Sequence, residues 1–339
     1  MRGPRIALDA MGGDNAPGAI VRGAVEALSG DEALHLVLVG DEQRILAELA
    51  GLDGDRDRIR IVHTTEVIEM GEAPIEALRR KKDSSILKLA KLAVAGEVDA
   101  VLSAGNTGAF AAACQLKMRS LPGVIRPGIA VVIPSFHGPF VLCDCGANIQ
   151  AKAAHLHQYG TMASLYAEKV LGIERPRVAL LSVGEESAKG TTLVKQARGL
   201  LEADDQINFV GNAEGRELFQ DVCDVALCDG FVGNLMLKFV EGIAEGFLHT
   251  IRREADELID DPSARKVFQV ALQRVWSRHD YSEYGGAPLL GVQGACIICH
   301  GRSNERAIRN AVRAARRFLS QGLNEAIVER LGSEVSRTG

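Results

Sequence analysis

Five glycine-containing loops hold most of the residues in this chain that could do chemistry. Each loop follows a short apolar run and precedes a helical pattern, so each presents free backbone N–H groups at the end of a predicted strand. Such ends bind anions, and ligands of open parallel sheets lie beyond the carboxyl ends of the strands. One such loop is often only a turn and a helix cap, but five predict a shared phosphate-binding cleft. The loops are LDAMGGDNAPG (8–18), SAGNTGA (103–109), SVGEESAKGTTL (182–193), CDGFVGN (228–234) and CHGRSNE (299–305).

The first loop predicts a tight turn flanked by carboxylates. Asp9 closes a strand, and Gly12 and Gly13 permit positive φ. Asp14 or Asn15 is expected to cap the following helix. Direct phosphate contact does not suit the two aspartates, which could instead orient a donor or bind a metal. Because their spacing is that of a helix cap, no metal site is predicted.

The second and fourth loops offer uncharged donors. Asn106 and Thr107 could line an oxyanion or phosphate site beside free amides, although capping alone would explain either residue. Asn234 could donate to a transition state or act as a cap. The remaining predicted substrate-binding residues of these two loops are Gly108, Asp229 and Gly230.

The third loop contains a lysine at the start of a helix. The order Lys189-Gly190-Thr191 differs from the Gly-Lys-Thr of a nucleotide-binding P-loop, so a nucleotide site is rejected. A cation at a helix N-terminus opposes the helix dipole, and a bound anion explains it better than helix stability does. Lys189 is therefore predicted to neutralise phosphate, and a solvated loop lysine is the alternative.

The last loop combines a histidine with fixed donors at a strand-to-helix junction. Cys296 and Cys299 precede His300 at the spacing of haem c attachment, which requires an exported chain and is rejected. A two-cysteine zinc half-site is rejected too, since no second pair lies at usable spacing. His300 is either structural or catalytic. The other predicted binding residues of this loop are Arg302, Ser303 and Asn304.

Two groups of basic residues, at 79–82 and 302–316, could bind a partner protein and are called the two basic features. Usually such charges form only a solvated face, but they could also dock an acidic protein. In the second feature the arginines recur every three or four residues, on one helix face opposite Ile308 and Val312. The first feature is Arg79, Arg80, Lys81 and Lys82, and the second is Arg302, Arg306, Arg309, Arg313 and Arg316.

Composition limits the class of protein. The 339 residues are 47% hydrophobic and 24% charged, as in a globular chain, and the net charge of −5 argues against nucleic acid as a partner. The 36 glycines outnumber the 10 Phe, 4 Tyr and 1 Trp together, which favours backbone-lined sites over stacking platforms. Seven cysteines lie mostly in apolar runs, so we expect reduced thiols and no disulfide. With neither a signal sequence nor a long apolar span, the expected location is cytoplasmic.

The elements that position these loops read as one α/β chain, 1–339, of two interlocked lobes. The apolar runs predict a mostly parallel sheet sandwiched by helices, with one antiparallel hairpin at 129–144 and a late buried strand at 289–301. A helical stretch at 234–276, divided at Pro262, predicts a projecting hairpin for a dimer or membrane contact. An intramolecular core stripe is the alternative for that stretch.

These loops closely resemble the bacterial phosphate acyltransferase (PlsX) family along nearly the whole chain. The resemblance implies attack of inorganic phosphate on the thioester of a long-chain acyl group on acyl carrier protein, giving acyl phosphate for phospholipid synthesis. It also implies a fold similar to isocitrate and isopropylmalate dehydrogenases, a homodimer without cofactor, and loose contact with the inner membrane surface. The resemblance implies as a further partner a membrane-bound glycerol-3-phosphate acyltransferase that uses acyl phosphate. The matching segments are LDAMGGDNAPG, LRRKKDSS (78–85), SAGNTGA, CDCGAN (143–148), GEESAKG (184–190), CDGFVGN and GGAPLLGVQG (285–294).

The chemistry of that reaction agrees with the residue types. Phosphate is already an anionic nucleophile, so positioning, charge neutralisation and an oxyanion hole matter more than a strong base. We expect Lys189 to hold phosphate, Asn234 to support the tetrahedral oxygen and His300 to donate to the leaving thiolate. Three alternatives stay open: a phosphotransacetylase-like enzyme using coenzyme A, a nicotinamide-dependent dehydrogenase, and a non-catalytic membrane scaffold. The dehydrogenase would need clustered metal-binding aspartates, which we do not find at helical spacing.

Overall fold

A computed structural model describes residues 3–279 and 281–338 of the chain. Its strands are β1 (Arg5–Asp9), β2 (His35–Gly40), β3 (Ile59–His63), β4 (Ala100–Ser103), β5 (Gly128–Ser135), β6 (Gly138–Cys143), β7 (Arg177–Leu181), β8 (Asn208–Ala213), β9 (Val225–Leu227), β10 (Ala287–Leu290) and β11 (Ala295–Ile298). Its α-helices are α1 (Gly18–Leu28), α2 (Glu42–Ala50), α3 (Pro74–Arg80), α4 (Ser85–Val94), α5 (Thr107–Met118), α6 (Ala153–Leu171), α7 (Thr192–Glu202), α8 (Gly230–Leu258), α9 (Pro262–His279), α10 (Glu305–Ser320) and α11 (Leu323–Thr338).

All of the described strands join one sheet, whose strands fall into two groups of opposite direction. Their order across the sheet is β3-β2-β1-β4-β11-β10-β5-β6-β9-β7-β8. Strands β1 to β4, β11 and β5 run one way, whereas β10 and β6 to β9 run the other way. Most neighbouring pairs are parallel, as predicted, and the antiparallel pairs lie at the centre.

The strands are buried on both faces because helices cover both sides of the sheet. Along β1, Ile6 and Leu8 belong to one core and Ala7 to the other, and all three are at most 1% exposed. An uninterrupted apolar run is the expected signature of such a strand. The predicted α/β sandwich is confirmed.

The structure confirms one local prediction and overturns two. The predicted antiparallel hairpin is β5–β6, which turns between Ser135 and Gly138. The single late strand predicted at 289–301 is wrong: β10 and β11 are two antiparallel strands, and Gly291 and Gly294 between them adopt positive φ of 88° and 114°. The predicted cap of the first helix is wrong too, since α1 begins after Pro17 without a side-chain cap.

Helices α8 and α9 are consecutive and pack against each other in the region of the predicted hairpin. The chain turns between Leu258 and Pro262, where Asp261 accepts hydrogen bonds from the backbone N–H groups that open α9. Large apolar side chains on α8 are exposed, with Phe239 and Phe247 each at 66%. No helix in the described part of the chain is both long and apolar enough to cross a bilayer.

Candidate active site

A cavity of about 360 Å³ lies on one face of the sheet, above its antiparallel centre. Its floor is apolar and comes from β5, β10 and β11, including Ile129, Val131 and Ile298. Its polar lining comes from four of the five glycine-containing loops, the second of which includes the start of α5, and from α8. These polar residues are Asp14, Thr107, Asn234, Lys238, Glu241, His300 and Arg302.

Helix α8 joins loops that the sheet topology would keep apart. The loops after β1, β4 and β11 share one edge of the sheet, whereas the loops after β7 and β9 leave strands of the opposite direction. Helix α8 starts at the end of β9 and reaches the loop after β11, where Lys238 Nζ lies 3.2 Å from His300 Nε2. About two turns further along α8, Glu245 pairs with Arg302 at 2.8 Å. The cavity therefore unites residues from both strand groups.

Asp9 connects the first two loops through hydrogen bonds. Its carboxylate is buried and accepts hydrogen bonds from Ser103 Oγ at 2.8 Å and from the Met11 N–H at 3.2 Å. Burial raises the pKa of Asp9 above its ordinary value. Gly12 crosses this carboxylate so closely that a Cβ there would lie 2.6 Å from Asp9 Oδ2 and 2.7 Å from the Gly105 nitrogen. Glycine is required by that close approach.

The first and last loops are also joined directly. The Asp14 N–H donates to the Gly301 carbonyl at 2.8 Å, and Gly13 turns beneath it at a φ of +98°. The Asn15 amide donates to the Ser303 carbonyl at 3.2 Å instead of capping α1. These contacts place the Asp14 carboxylate at the cavity.

Asn106 positions the start of α5. Its Oδ1 accepts the Ala109 N–H at 3.0 Å, and its Nδ2 faces three carbonyl oxygens of residues 69–72 at 3.0 to 3.2 Å. These contacts occupy its amide. The next two residues, Thr107 and Gly108, begin α5, and their N–H groups have no earlier partner in the helix. Thr107 lines the cavity, so this end of the helix favours a negative charge there.

The cap of α8 is Asp229, and Asn234 is not a cap. Asp229 caps α8 by accepting the Phe231 and Val232 N–H groups, both at 3.0 Å. Gly230 follows it and passes close to Asp144, whose pKa burial raises. Asn234 is exposed and lines the cavity, and its amide makes no hydrogen bond within the described part of the chain. It is therefore available to a ligand.

His300 is a half-buried imidazole held between a backbone amide and a cation. Its Nδ1 accepts the Arg302 N–H at 3.1 Å, which assigns the proton of the neutral ring to Nε2. Burial, and then the Lys238 charge, lower the pKa of His300. The lowered pKa favours the neutral ring near pH 7, and in that form the Nε2–H group and the Lys238 ammonium, 3.2 Å apart, are both donors and cannot hydrogen-bond to each other.

The remaining predicted site residues lie away from the cavity lining. Lys189 is exposed on the β7–α7 loop, and Gly190 beside it adopts a φ of +92°. Thr191 caps α7 through the Val194 N–H at 3.3 Å. In the last loop Ser303 is buried, and Asn304 caps α10 through the Ala307 N–H at 2.9 Å.

Ion pairs within the chain occupy much of the two basic features. Glu72 pairs with Arg80 and Lys81, and its hydrogen bond from Lys81 lowers the pKa of Glu72 to about 2. In the loop before α10, Arg302 pairs with Glu245. On α10, Arg306 pairs with Glu283, Arg309 with Glu26 and Arg316 with Asp31. Lys82 donates to the Leu78 carbonyl at 3.2 Å. Arg79 and Arg313 have no ion pair in the described part of the chain.

Sequence reasoning missed Lys238 and Glu241. Both lie on the cavity side of α8, three residues apart, and Lys238 Nζ donates to Glu241 Oε2 at 2.8 Å. The available signal was their spacing in the helix that follows CDGFVGN, but only the path of α8 brings them to His300.

The cysteines and acidic residues offer no redox or metal centre in the described residues. All seven cysteines are buried and free. Cys145 and Cys299 line the cavity, but burial raises the pKa of both, to about 12 for Cys299. Within residues 3–279 and 281–338 no three His, Cys, Asp or Glu side chains cluster as metal ligands would.

Comparison with known sequences identifies close relatives of nearly full length. The family model described as "Fatty acid synthesis protein" matches residues 4–326. The phosphate acyltransferase of Nitratidesulfovibrio vulgaris strain DP4 is 44% identical over 336 residues, covering 98% of this chain and 97% of that protein. The phosphate acyltransferase of Heliobacterium modesticaldum is 48% identical over 339 residues, covering 98% of each.

Comparison with solved structures shows the fold. A phosphotransacetylase from Streptococcus pyogenes matches with a TM-score of 0.63 at 15% identity, covering 93% of this chain and 94% of that one. A 4-hydroxythreonine-4-phosphate dehydrogenase from Klebsiella pneumoniae matches with a TM-score of 0.52 at 13% identity, covering 94% and 98%. The fold is shared by phosphotransacylases and dehydrogenases.

Proposed function

Because the chain belongs to the phosphate acyltransferase (PlsX) family, we propose that it transfers a long-chain acyl group from acyl carrier protein to inorganic phosphate. The product would be acyl phosphate for phospholipid synthesis. Membership makes the chain an acyltransferase, which disfavours the non-catalytic scaffold. The identity of the acyl donor is the proposed part.

The observation that carries this proposal is the composition of the cavity. Its apolar floor over β5 and β11 suits an acyl chain, and its polar end gathers Thr107, Asn234 and His300. The ligand therefore has an uncharged tail and a polar reacting group. A thioester and phosphate meeting at the polar end satisfy both conditions.

The proposed reaction needs no cofactor for its atoms to balance. An oxygen of hydrogen phosphate attacks the thioester carbonyl carbon, the carbon–sulfur bond breaks, and the phosphate proton replaces the acyl group on sulfur. The Asn234 amide would donate to the oxygen that becomes negative in the tetrahedral state. His300, with its proton on Nε2, would donate to the departing thiolate, and phosphate would later restore that proton.

Lys189 keeps its proposed role as a phosphate ligand under one condition. The residue lies outside the cavity lining, so contact with phosphate there requires the 182–193 loop to move inward. The glycines Gly184 and Gly190 at the two ends of the loop make such a movement feasible. A crosslink that restrains this loop should then lower activity.

A donor comparison tests the proposal. Purified protein is mixed with phosphate and either palmitoyl acyl carrier protein or palmitoyl coenzyme A, and acyl phosphate is trapped with hydroxylamine. We expect product from the carrier thioester at a clearly higher kcat/KM. Preference for the coenzyme A thioester would favour the phosphotransacetylase-like alternative, and no product with either donor would refute the function.

We also propose a homodimer in the cytoplasm that touches the inner membrane surface and passes acyl phosphate to a membrane-bound glycerol-3-phosphate acyltransferase. The exposed apolar side chains of α8, including Phe239 and Phe247, support a contact there with a second copy or with lipid. Light scattering and flotation with anionic vesicles test the two contacts. A protein that is monomeric in light scattering and does not float with the vesicles would refute both contacts.

A further inference from the structure

Lys238 and Glu241 are cavity residues that have no part in the mechanism above. Both project from the same side of α8, and Lys238 Nζ lies 2.8 Å from Glu241 Oε2 and 3.2 Å from His300 Nε2. The other charged groups at the cavity are Asp14 and Arg302, and Arg302 is paired with Glu245. Lys238 is thus the cation that faces the cavity from α8.

Glu241 has an unsatisfied oxygen. The Glu241 side chain is 9% exposed, and although Lys238 donates to its Oε2, its Oε1 is shielded from solvent and accepts no hydrogen bond in the described part of the chain. A buried carboxylate oxygen without a donor destabilises the folded protein. A ligand that brings its own donor would remove this cost.

These two residues define what the ligand must carry. Lys238, the Asn234 amide and the start of α5 at Thr107 call for anionic oxygens, whereas Glu241 Oε1 calls for a proton. Hydrogen phosphate has both at neutral pH. Sulfate and simple carboxylates lack the proton, and amines lack the negative charge.

We propose that Lys238 and Glu241 form a subsite for hydrogen phosphate, in which Lys238 binds an anionic oxygen and Glu241 Oε1 accepts the hydrogen bond of the phosphate hydroxyl. Glu241 then selects phosphate against sulfate, because an unprotonated sulfate oxygen facing the carboxylate is repelled. This inference rests on the proposed function, and it adds which residues bind phosphate selectively.

The test compares Glu241→Gln with Glu254→Gln, a control on the exposed part of the same helix. We measure KM for phosphate and the inhibition constant for sulfate during acyl phosphate formation. Since glutamine can donate to sulfate, we expect Glu241→Gln to raise the phosphate KM and lower the sulfate inhibition constant, each about tenfold or more. The control should match the wild type, and Glu241→Gln with wild-type selectivity would overturn the subsite.

A binding experiment separates the subsite from the reaction. Calorimetric titration of the protein alone with inorganic phosphate and with sulfate needs no acyl donor, and Lys238→Met should weaken phosphate binding about tenfold. Unchanged binding by Lys238→Met, with an unaltered melting temperature, would overturn the role of Lys238. If the protein makes no acyl phosphate but still prefers phosphate to sulfate, and this preference depends on Glu241, the proposed function is refuted and the subsite stands. If Glu241→Gln forms acyl phosphate with the anion selectivity of the wild type, the proposed function stands and the subsite is refuted.

Discussion

At the scale of single residues, Asn234 is the donor whose removal should affect catalysis most directly. Its amide is exposed to the cavity and makes no hydrogen bond in the described part of the chain, whereas the amide of Asn106 is occupied by backbone groups. We expect Asn234→Ala to lower kcat about 10²-fold, the usual loss on removing one oxyanion-hole donor. Steady-state kinetics with Asn208→Ala as a control away from the cavity measures this. A kcat within about threefold of wild type would remove Asn234 from the oxyanion site.

The negative charge of buried Asp9 destabilises the folded protein, although its carboxyl group accepts hydrogen bonds there. Since burial raises its pKa, the folded state holds the proton more tightly than the unfolded state, whose value is near 3.8. The free energy of unfolding therefore loses a contribution as pH rises above about 3.8 toward the folded pKa. An asparagine side chain does not titrate, so Asp9→Asn should gain stability relative to wild type as pH rises through this window. Urea unfolding at several pH values between about 4 and 7 tests it, and a difference that is constant with pH would contradict it.

At the scale of elements, α8 depends on a close backbone contact at its start. A Cβ on Gly233 would lie 2.0 Å from the Asp144 carbonyl oxygen, so Gly233→Ala must push the helix away from the 144–148 loop and displace Asn234. We expect it to lower the free energy of unfolding by about 1–3 kcal/mol and to reduce kcat.

The matched control is on the same helix. Nothing lies within 4 Å of a Cβ on Gly242, so Gly242→Ala should instead stabilise the protein by about 1 kcal/mol through helix propensity. Thermal unfolding of both variants measures the contrast. Equal effects of the two substitutions would show that α8 does not need its contact with Asp144.

Most of the elements could be predicted from local patterns. The apolar runs indicated β1 and β6, and the polar break containing Gly138 and Pro139 indicated the hairpin. The error at 289–301 arose because apolar residues on both sides of Gly291 look like one buried strand, and only the positive φ of the glycines reveals the reversal. Lys238 and Glu241 could not be found in this way, since helical spacing says which residues share a face but not what that face meets.

At the scale of the whole molecule, strand direction decides which loops can cooperate. The sequence predicts parallel strands with loops at a common edge, but β5–β6 reverses the chain, so the loops after β7 and β9 leave in the opposite direction. The β5–β6 hairpin is predicted from local signals, but the parallel pairing of β9 with β6 and of β7 with β9 joins distant segments, which local periodicity does not encode. Helix α8 carries Asn234 to the cavity, whereas Lys189 lies outside the cavity lining.

The distribution of charge over the whole surface leads to a prediction about the acyl carrier. The chain has a net charge of −5, and most of the α10 arginines are paired within it, so only Arg313 of the predicted docking residues on α10 is a cation without an ion pair in the described part of the chain. We expect Arg313→Glu to raise KM for palmitoyl acyl carrier protein about two- to fivefold, as an exposed charge pair permits. The effect should shrink as salt is added, and KM for palmitoyl coenzyme A should not change.

Lys195→Glu is the control, because it makes the same change of charge on α7, an exposed helix outside both basic features. If Lys195→Glu raises KM for the carrier equally, the carrier responds to net charge and not to α10. If Arg313→Glu raises KM for both thioesters, the substitution has disturbed the cavity. Only an increase confined to the carrier and to Arg313 places the docking surface on α10, because electrostatic complementarity acts through local surface potential and is screened with distance.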